Sequence, residues 1–139
     1  TFSGCPLACK YCLNPQCRDF SQAKKYTPES LFEEVKIDNI YFLATNGGIT
    51  FGGGEPCLQS EFIADFHLLA PDWKLTIETS LYVGRNHLER LLPIINEYII
   101  DIKDLNPIIY KEYTGQDIDL LMDNLRWLAE AGKADGKAV

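Results

Sequence analysis

The chain has 139 residues, 46% of them hydrophobic, and a formal net charge of −7. That apolar share excludes a disordered chain and is enough for one domain with a real core. The acidic balance repels phosphate backbones, so nucleic acid is not an expected partner, and no apolar run approaches the ~20 residues of a membrane-spanning helix.

Residues 1–4 read as the end of a strand that runs into Gly4-Cys5-Pro6-Leu7-Ala8-Cys9-Lys10-Tyr11-Cys12. Three cysteines with three and then two residues between them gather soft sulfur ligands of the kind that hold iron–sulfur clusters. Three protein ligands on a four-iron cluster leave one iron open to a small molecule. Two other readings fit the same spacing. The offsets i, i+4, i+7 set the sulfurs on one helical face as packed apolar groups, although Gly4 and Pro6 favour a loop. Zinc could draw on Cys17 as a fourth ligand, although the usual pair of separated cysteine pairs is absent. Cys17 and Cys57 read as free thiols. Cysteines in an acidic chain without a signal segment fit a reducing, cytoplasmic setting better than a disulfide framework. The chain opens at Thr1, almost on the cysteine motif, which reads as a fragment of something longer.

Residues 14–25 are polar and irregular. Thr27-Pro28 gives a helix start, and Leu31, Phe32 and Val35 mark its buried face. Residues 39–45 fit either a continued helix or a packed loop. Ile49-Thr50-Phe51 is a short buried strand ending in Gly52-Gly53-Gly54-Glu55-Pro56, where glycines permit close backbone approach to a ligand. The plain alternative is an ordinary strand-to-helix turn. Phe62, Ile63, Phe66 and Leu69 follow at helical spacing. Residues 73–80 form the next strand, and 86–96 a helix that Pro93 can shorten. Residues 98–102 are an apolar strand carrying Asp101, with Lys103 directly after. A short helix starts at Asn106-Pro107 and breaks at Thr114-Gly115. Ile118, Leu121, Met122, Leu125 and Leu128 then make an amphipathic helix with Gly132 as its stop.

Strands alternating with helices are the pattern of βα units and a parallel sheet. The cysteine loop, residues 53–55, Glu78-Thr79-Ser80 and Asp101 with Lys103 all fall at carboxyl ends of strands, the edge where parallel α/β folds bind ligands. Asp101 and Lys103 face the same way by alternation, so they read either as site residues or as a structural ion pair.

The cysteine spacing, with Tyr11 before the last cysteine, resembles the signature of the radical S-adenosylmethionine (SAM) enzymes. Gly53-Gly54-Glu55-Pro56 resembles that family's SAM-binding motif. Within the family, Gly48-Ile49-Thr50, Leu58-Gln59, Phe62, Glu78-Thr79-Ser80, Asp101-Ile102-Lys103 and Tyr113-Thr114-Gly115 resemble the activating enzymes of glycyl radical enzymes. The resemblance implies a partial parallel (βα) barrel, truncated here to about four of six units. Residues 1–139 would be an incomplete core domain with a frayed tail over 133–139. It further implies a [4Fe–4S] cluster on Cys5, Cys9 and Cys12, with SAM on the open iron. Tyr11 would lie beside the adenine. Backbone groups of Gly53, Gly54 and Glu55 would meet the SAM amino group. Thr79 joins this cofactor set, and Asp101 and Lys103 would hold the methionine or ribose part, Lys103 pairing with the carboxylate. A flavodoxin- or ferredoxin-type donor would reduce the cluster. The resulting 5′-deoxyadenosyl radical would take a hydrogen from a glycine of a partner enzyme. Gly52 stands where these relatives often have serine, and Glu78 where they often have aspartate. A ribonucleotide reductase activator, a modifier of small molecules or peptides, and a non-catalytic zinc module are the alternative readings.

Overall fold

The computed structural model describes residues 1–21 and 23–134. Three parallel strands, β1 (Gly48–Phe51), β2 (Lys74–Thr79) and β3 (Glu97–Ile100), form an open sheet in the order β1-β2-β3. Phe51 lies opposite Ile77, and Ile77 opposite Tyr98. The expected first strand is a single parallel bridge between Phe2 and Gly53, so the described residues hold three strands and one bridged segment where four strands were expected.

Helices connect the strands. α1 (Pro28–Val35) starts where expected: Thr27 and Ser30 exchange backbone and side-chain hydrogen bonds as a reciprocal cap. Leu31, Phe32 and Val35 are partly buried against the core. Residues 39–45 are helical, as α2 (Asn39–Thr45), and the left-handed Asn46 ends it. α3 (Ser60–Leu69) buries Ile63 and Phe66 and packs against α1 and against α4 (Arg85–Leu91). Pro93 follows the last turn of α4, which therefore stops short of residue 96. Leu75 and Ile77 of β2 are fully buried under these helices, while Glu78 and Ile99 lie on exposed positions of the sheet.

α5 (Pro107–Thr114) begins on Asn106, whose side chain accepts from the backbone of Ile108 and Ile109, and ends at the left-handed Gly115. α6 (Asp119–Ala134) buries Leu121 and Leu128.

Other boundaries also differ from the sequence reading: β2 is Lys74–Thr79 where 73–80 was expected. β3 ends at Ile100, not residue 102. Its partner β2 ends at Thr79, and after one last bond from the Asp101 N–H to the Thr79 carbonyl (2.9 Å) the ladder has nothing left to pair. Gly132 does not stop α6 but lies buried within it, where a glycine costs only about 1 kcal/mol relative to alanine. Lys133 and Ala134 close the helix; the rest of the tail expected to fray, 135–139, lies outside the described residues, as does Gln22 in the irregular segment 14–25.

Candidate functional site

The carboxyl edge of the sheet is built on backbone contacts. Phe2 donates to the Gly52 carbonyl (2.8 Å), and the Gly54 and Glu55 N–H groups donate to the carbonyls of Phe2 (2.9 Å) and Gly4 (2.8 Å). Gly4 in turn donates to the Cys17 carbonyl at 2.7 Å. This crossing leaves no room for side chains: a Cβ on Gly54 would lie 2.3 Å from the Gly4 oxygen, and one on Gly53, at φ +119°, 2.6 Å from the Phe2 oxygen.

Glu55, although charged, is fully buried. Its carboxylate accepts from four donors: the Cys57 N–H (3.1 Å), the Thr79 hydroxyl (2.7 Å), the Ser80 N–H (2.9 Å) and the Ser80 hydroxyl (2.6 Å). A buried carboxylate is tolerable when its lone pairs are taken up in this way. Glu55 thereby ties the turn after β1 to the end of β2. The Thr79 hydroxyl also accepts from the Cys57 thiol (3.3 Å) and from the Leu81 N–H (2.9 Å).

In front of this wall lies a cavity of about 200 Å³. Cys5, Cys9 and Cys12 line it, with Tyr11, Gly53, Gly54, Glu78, Thr79, Asp101 and Lys103. The structure thus brings the sequence-predicted residues to one place, with one distinction. Glu55 stands behind the cavity, and the Thr79 hydroxyl is spent on Glu55. Cys17 is buried outside the cavity lining, which leaves the zinc reading without its fourth ligand at this site. Among the described residues no three metal-ligating side chains converge on one point; the thiols instead line a shared wall.

Burial pushes the Cys5 and Cys9 thiols above the usual cysteine range, and at Cys9 the Lys103 charge works against that rise. At Lys103 burial favours the neutral amine, but the hydrogen bond and charge of Asp101 outweigh it and raise its pKa. Lys103 and Asp101 form an ion pair, with the lysine side chain only 20% exposed. The two residues are paired, as the ion-pair reading has it, and both line the cavity. The Tyr11 hydroxyl lies 3.4 Å from the Lys103 carbonyl. Glu78 reaches over Gly52, where a Cβ would sit 3.2 Å from its carboxylate oxygen. A serine at position 52 would crowd this longer acid, so the two departures from the family pattern adjoin one another.

Sequence reasoning missed three contributors. Ser80 was read with the strand end and not as a partner of Glu55. Asn124, nearly fully buried, donates to the carbonyls of Leu81 and Val83 (2.8 Å each) and fixes the loop after β2, where Leu81 sits at φ +57°. Its signal was a polar residue on the apolar stripe between Leu121 and Leu128. Arg18 also lines the cavity, from the segment read only as irregular.

The sequence pattern of the Radical SAM superfamily matches residues 1–138, and the chain belongs to that superfamily. The relatives it is similar to include activating enzymes. The (2S)-3-sulfopropanediol dehydratase activating enzyme of Klebsiella oxytoca is 38% identical over 73% of this chain and 33% of its own length. The pyruvate formate-lyase-activating enzyme of Clostridium pasteurianum is 35% identical over 83% of this chain and 49% of its own. A solved domain of pyruvate-formate lyase-activating enzyme from Bacteroides vulgatus superposes with a TM-score of 0.54 at 26% identity, covering 61% of this chain and 54% of that one. The chain thus spans a third to about half of these relatives, and its open parallel sheet is a partial radical SAM barrel. Among the described residues no helix is long and apolar enough to cross a membrane.

Proposed function

We propose that this chain is the cluster- and SAM-binding part of an activating enzyme that draws a hydrogen atom from a glycine of a partner glycyl radical enzyme. The observation that carries it is the sharing of one cavity by Cys5, Cys9, Cys12 and the Asp101–Lys103 pair. The donor set fits a thiolate-held [4Fe–4S] cluster: three free, half-buried thiols on one wall, with a cation beside them. When bound, the cluster and SAM would supply a one-electron cleavage of SAM to methionine and the 5′-deoxyadenosyl radical that removes the hydrogen.

The chain's own residues bind, orient and exclude. Cys5, Cys9 and Cys12 would hold the cluster, which requires them to lose their protons. Lys103, kept protonated by Asp101, would pair with the SAM carboxylate. Tyr11, half-exposed at the cavity, offers a ring face to the adenine. Gly53 and Gly54 present backbone without side chains, and Thr79 with Glu55 holds that wall in place. The glycyl radical enzyme as substrate, a flavodoxin- or ferredoxin-type electron donor, and a reducing cytoplasmic setting complete the proposal.

The experiment is anaerobic reconstitution of the chain and of each Cys→Ala variant, followed by electron paramagnetic resonance of the longer protein with SAM, a reductant and a candidate glycyl radical enzyme. We expect iron to be lost from all three variants and a glycyl radical on the partner. Full iron in all three, or no radical alongside turnover of a small molecule, would overturn the proposal.

A further inference from the structure

The motif Tyr113-Thr114-Gly115 has no part in the chemistry above, yet it touches the cysteine loop. α5 ends with carbonyls that have no partner within the helix. Gly115, at φ +80°, turns the chain there and donates to the Lys111 carbonyl at 2.9 Å. The carbonyls of Tyr113 and Thr114 are then taken up by the cysteine loop: Lys10 N–H donates to Tyr113 (2.9 Å) and Ala8 N–H to Thr114 (2.8 Å). These two bonds flank Cys9.

Side chains fix the same turn from below. Thr114 is fully buried, and its hydroxyl donates to the Tyr110 carbonyl (2.8 Å) and accepts from the Gln116 N–H (3.2 Å). Gln116 bridges two loops. Its Oε1 accepts from the Tyr82 hydroxyl at 3.3 Å and its Nε2 donates to the Pro6 carbonyl at 3.4 Å. The Tyr113 ring lies 5.3 Å from that of Tyr11. The exposed Lys10–Glu112 pair, at 2.8 Å, adds little.

We propose that residues 113–116 are a positioning clamp: they hold the backbone from Pro6 to Lys10, which joins Cys5 to Cys9, in the form the thiols need before any cluster binds. A loop with few internal bonds of its own gains the rigidity of a helix end, so its ligands are set in advance and less ordering is left for cluster assembly. Only the consequence for cluster assembly rests on the function proposed above; the clamp itself belongs to the metal-free chain.

The test is amide hydrogen exchange on the metal-free chain, with thiol alkylation and iron content read in parallel. Gln116→Glu sets an acceptor against the Pro6 carbonyl. Gly115→Ala strains the positive φ, whereas Gly115→Asn keeps a residue that tolerates it. We expect the Ala8 and Lys10 amides to be protected in the wild type and to lose about tenfold or more of that protection in Gln116→Glu and Gly115→Ala. The Leu75 and Ile77 amides should not change, Cys5 and Cys9 should alkylate faster, and bound iron should fall; Gly115→Asn should match the wild type. Unprotected Ala8 and Lys10 in the wild type, retained protection in both variants, or an equal loss in β2 would overturn the clamp. Failure of the wild-type chain to take up iron would sink the cluster reading instead, with the exchange data still deciding the clamp.

Discussion

The two ends of the sheet are held together by different parts of the chain. At the amino end of β2, Trp73 is nearly fully buried among rings, with centroids 4.8 Å from Phe42, 5.6 Å from Phe32 and 6.2 Å from Phe66, and its indole N–H donates to Asn39 at 2.7 Å. Side chains do the holding there. At the carboxyl end most of the holding is done by backbone, with the buried Glu55 carboxylate behind it: Phe2 against Gly52 and Gly54, Gly4 against Cys17 and Glu55, Ala8 and Lys10 against the end of α5. An edge built largely from main-chain bonds leaves the cysteine thiols, Glu78 and the Asp101–Lys103 pair lining a cavity. An edge built from aromatic side chains spends them on stability.

The largest effect is expected at Trp73. Trp73→Ala removes a large buried ring and should cost about 3–5 kcal/mol, while Trp73→Phe, which keeps a ring but loses the bond to Asn39, should cost less. Urea unfolding measures both. The milder variant, while folded, should take up iron as the wild type does. A Trp73→Phe protein that keeps its stability but loses iron would show that the two ends are not separable.

Much of this division was legible in the sequence, because it follows from local signals. The Thr27-Pro28 start, the Asn106-Pro107 start and the Gly115 stop are capping chemistry, and the structure has all three. The gathering of the cysteine loop, Glu78 and Asp101 at strand ends followed from βα alternation. Long-range pairing was not legible. Glu55 was read within a ligand motif, yet its side chain is committed to Ser80, twenty-five positions on. Gly132 carries a stop signal that tertiary packing overrides. The strand at Glu97–Ile100 stops where its neighbour stops, which no run of isoleucines reveals.

A smaller effect is expected at Lys103, which lines the cavity and, under the proposed function, pairs with SAM. Lys103→Ala in the iron-loaded protein should weaken SAM binding about tenfold, the loss of one charged contact worth roughly 1.5–3 kcal/mol, and leave iron content unchanged. Calorimetric titration with SAM reads it. Unchanged affinity together with lower stability would make the Asp101–Lys103 pair structural.

The smallest effect is a pH dependence. Tyr110 is fully buried on α5, and its hydroxyl has no hydrogen-bond partner among the described residues. Burial first, and then the nearby Tyr82, push its pKa from 10.0 to about 12. The folded chain therefore holds this proton more tightly than the unfolded chain does. Its contribution to stability is fully present below pH 10 and is lost as pH rises towards about 12, with a limiting slope of about 1.4 kcal/mol per pH unit for one proton. Tyr110→Phe has nothing to ionise, so its stability should fall less steeply over that window. At pH 7 no hydrogen bond is given up among the described residues, and the change should stay within about 1 kcal/mol. Cys5, Cys9, Cys57 and Tyr98, also raised by burial, leave a residual alkaline slope in the variant. Urea midpoints at pH 8, 9.5 and 11 decide the matter. An undiminished slope in Tyr110→Phe would place the alkaline titration on those other groups and away from Tyr110.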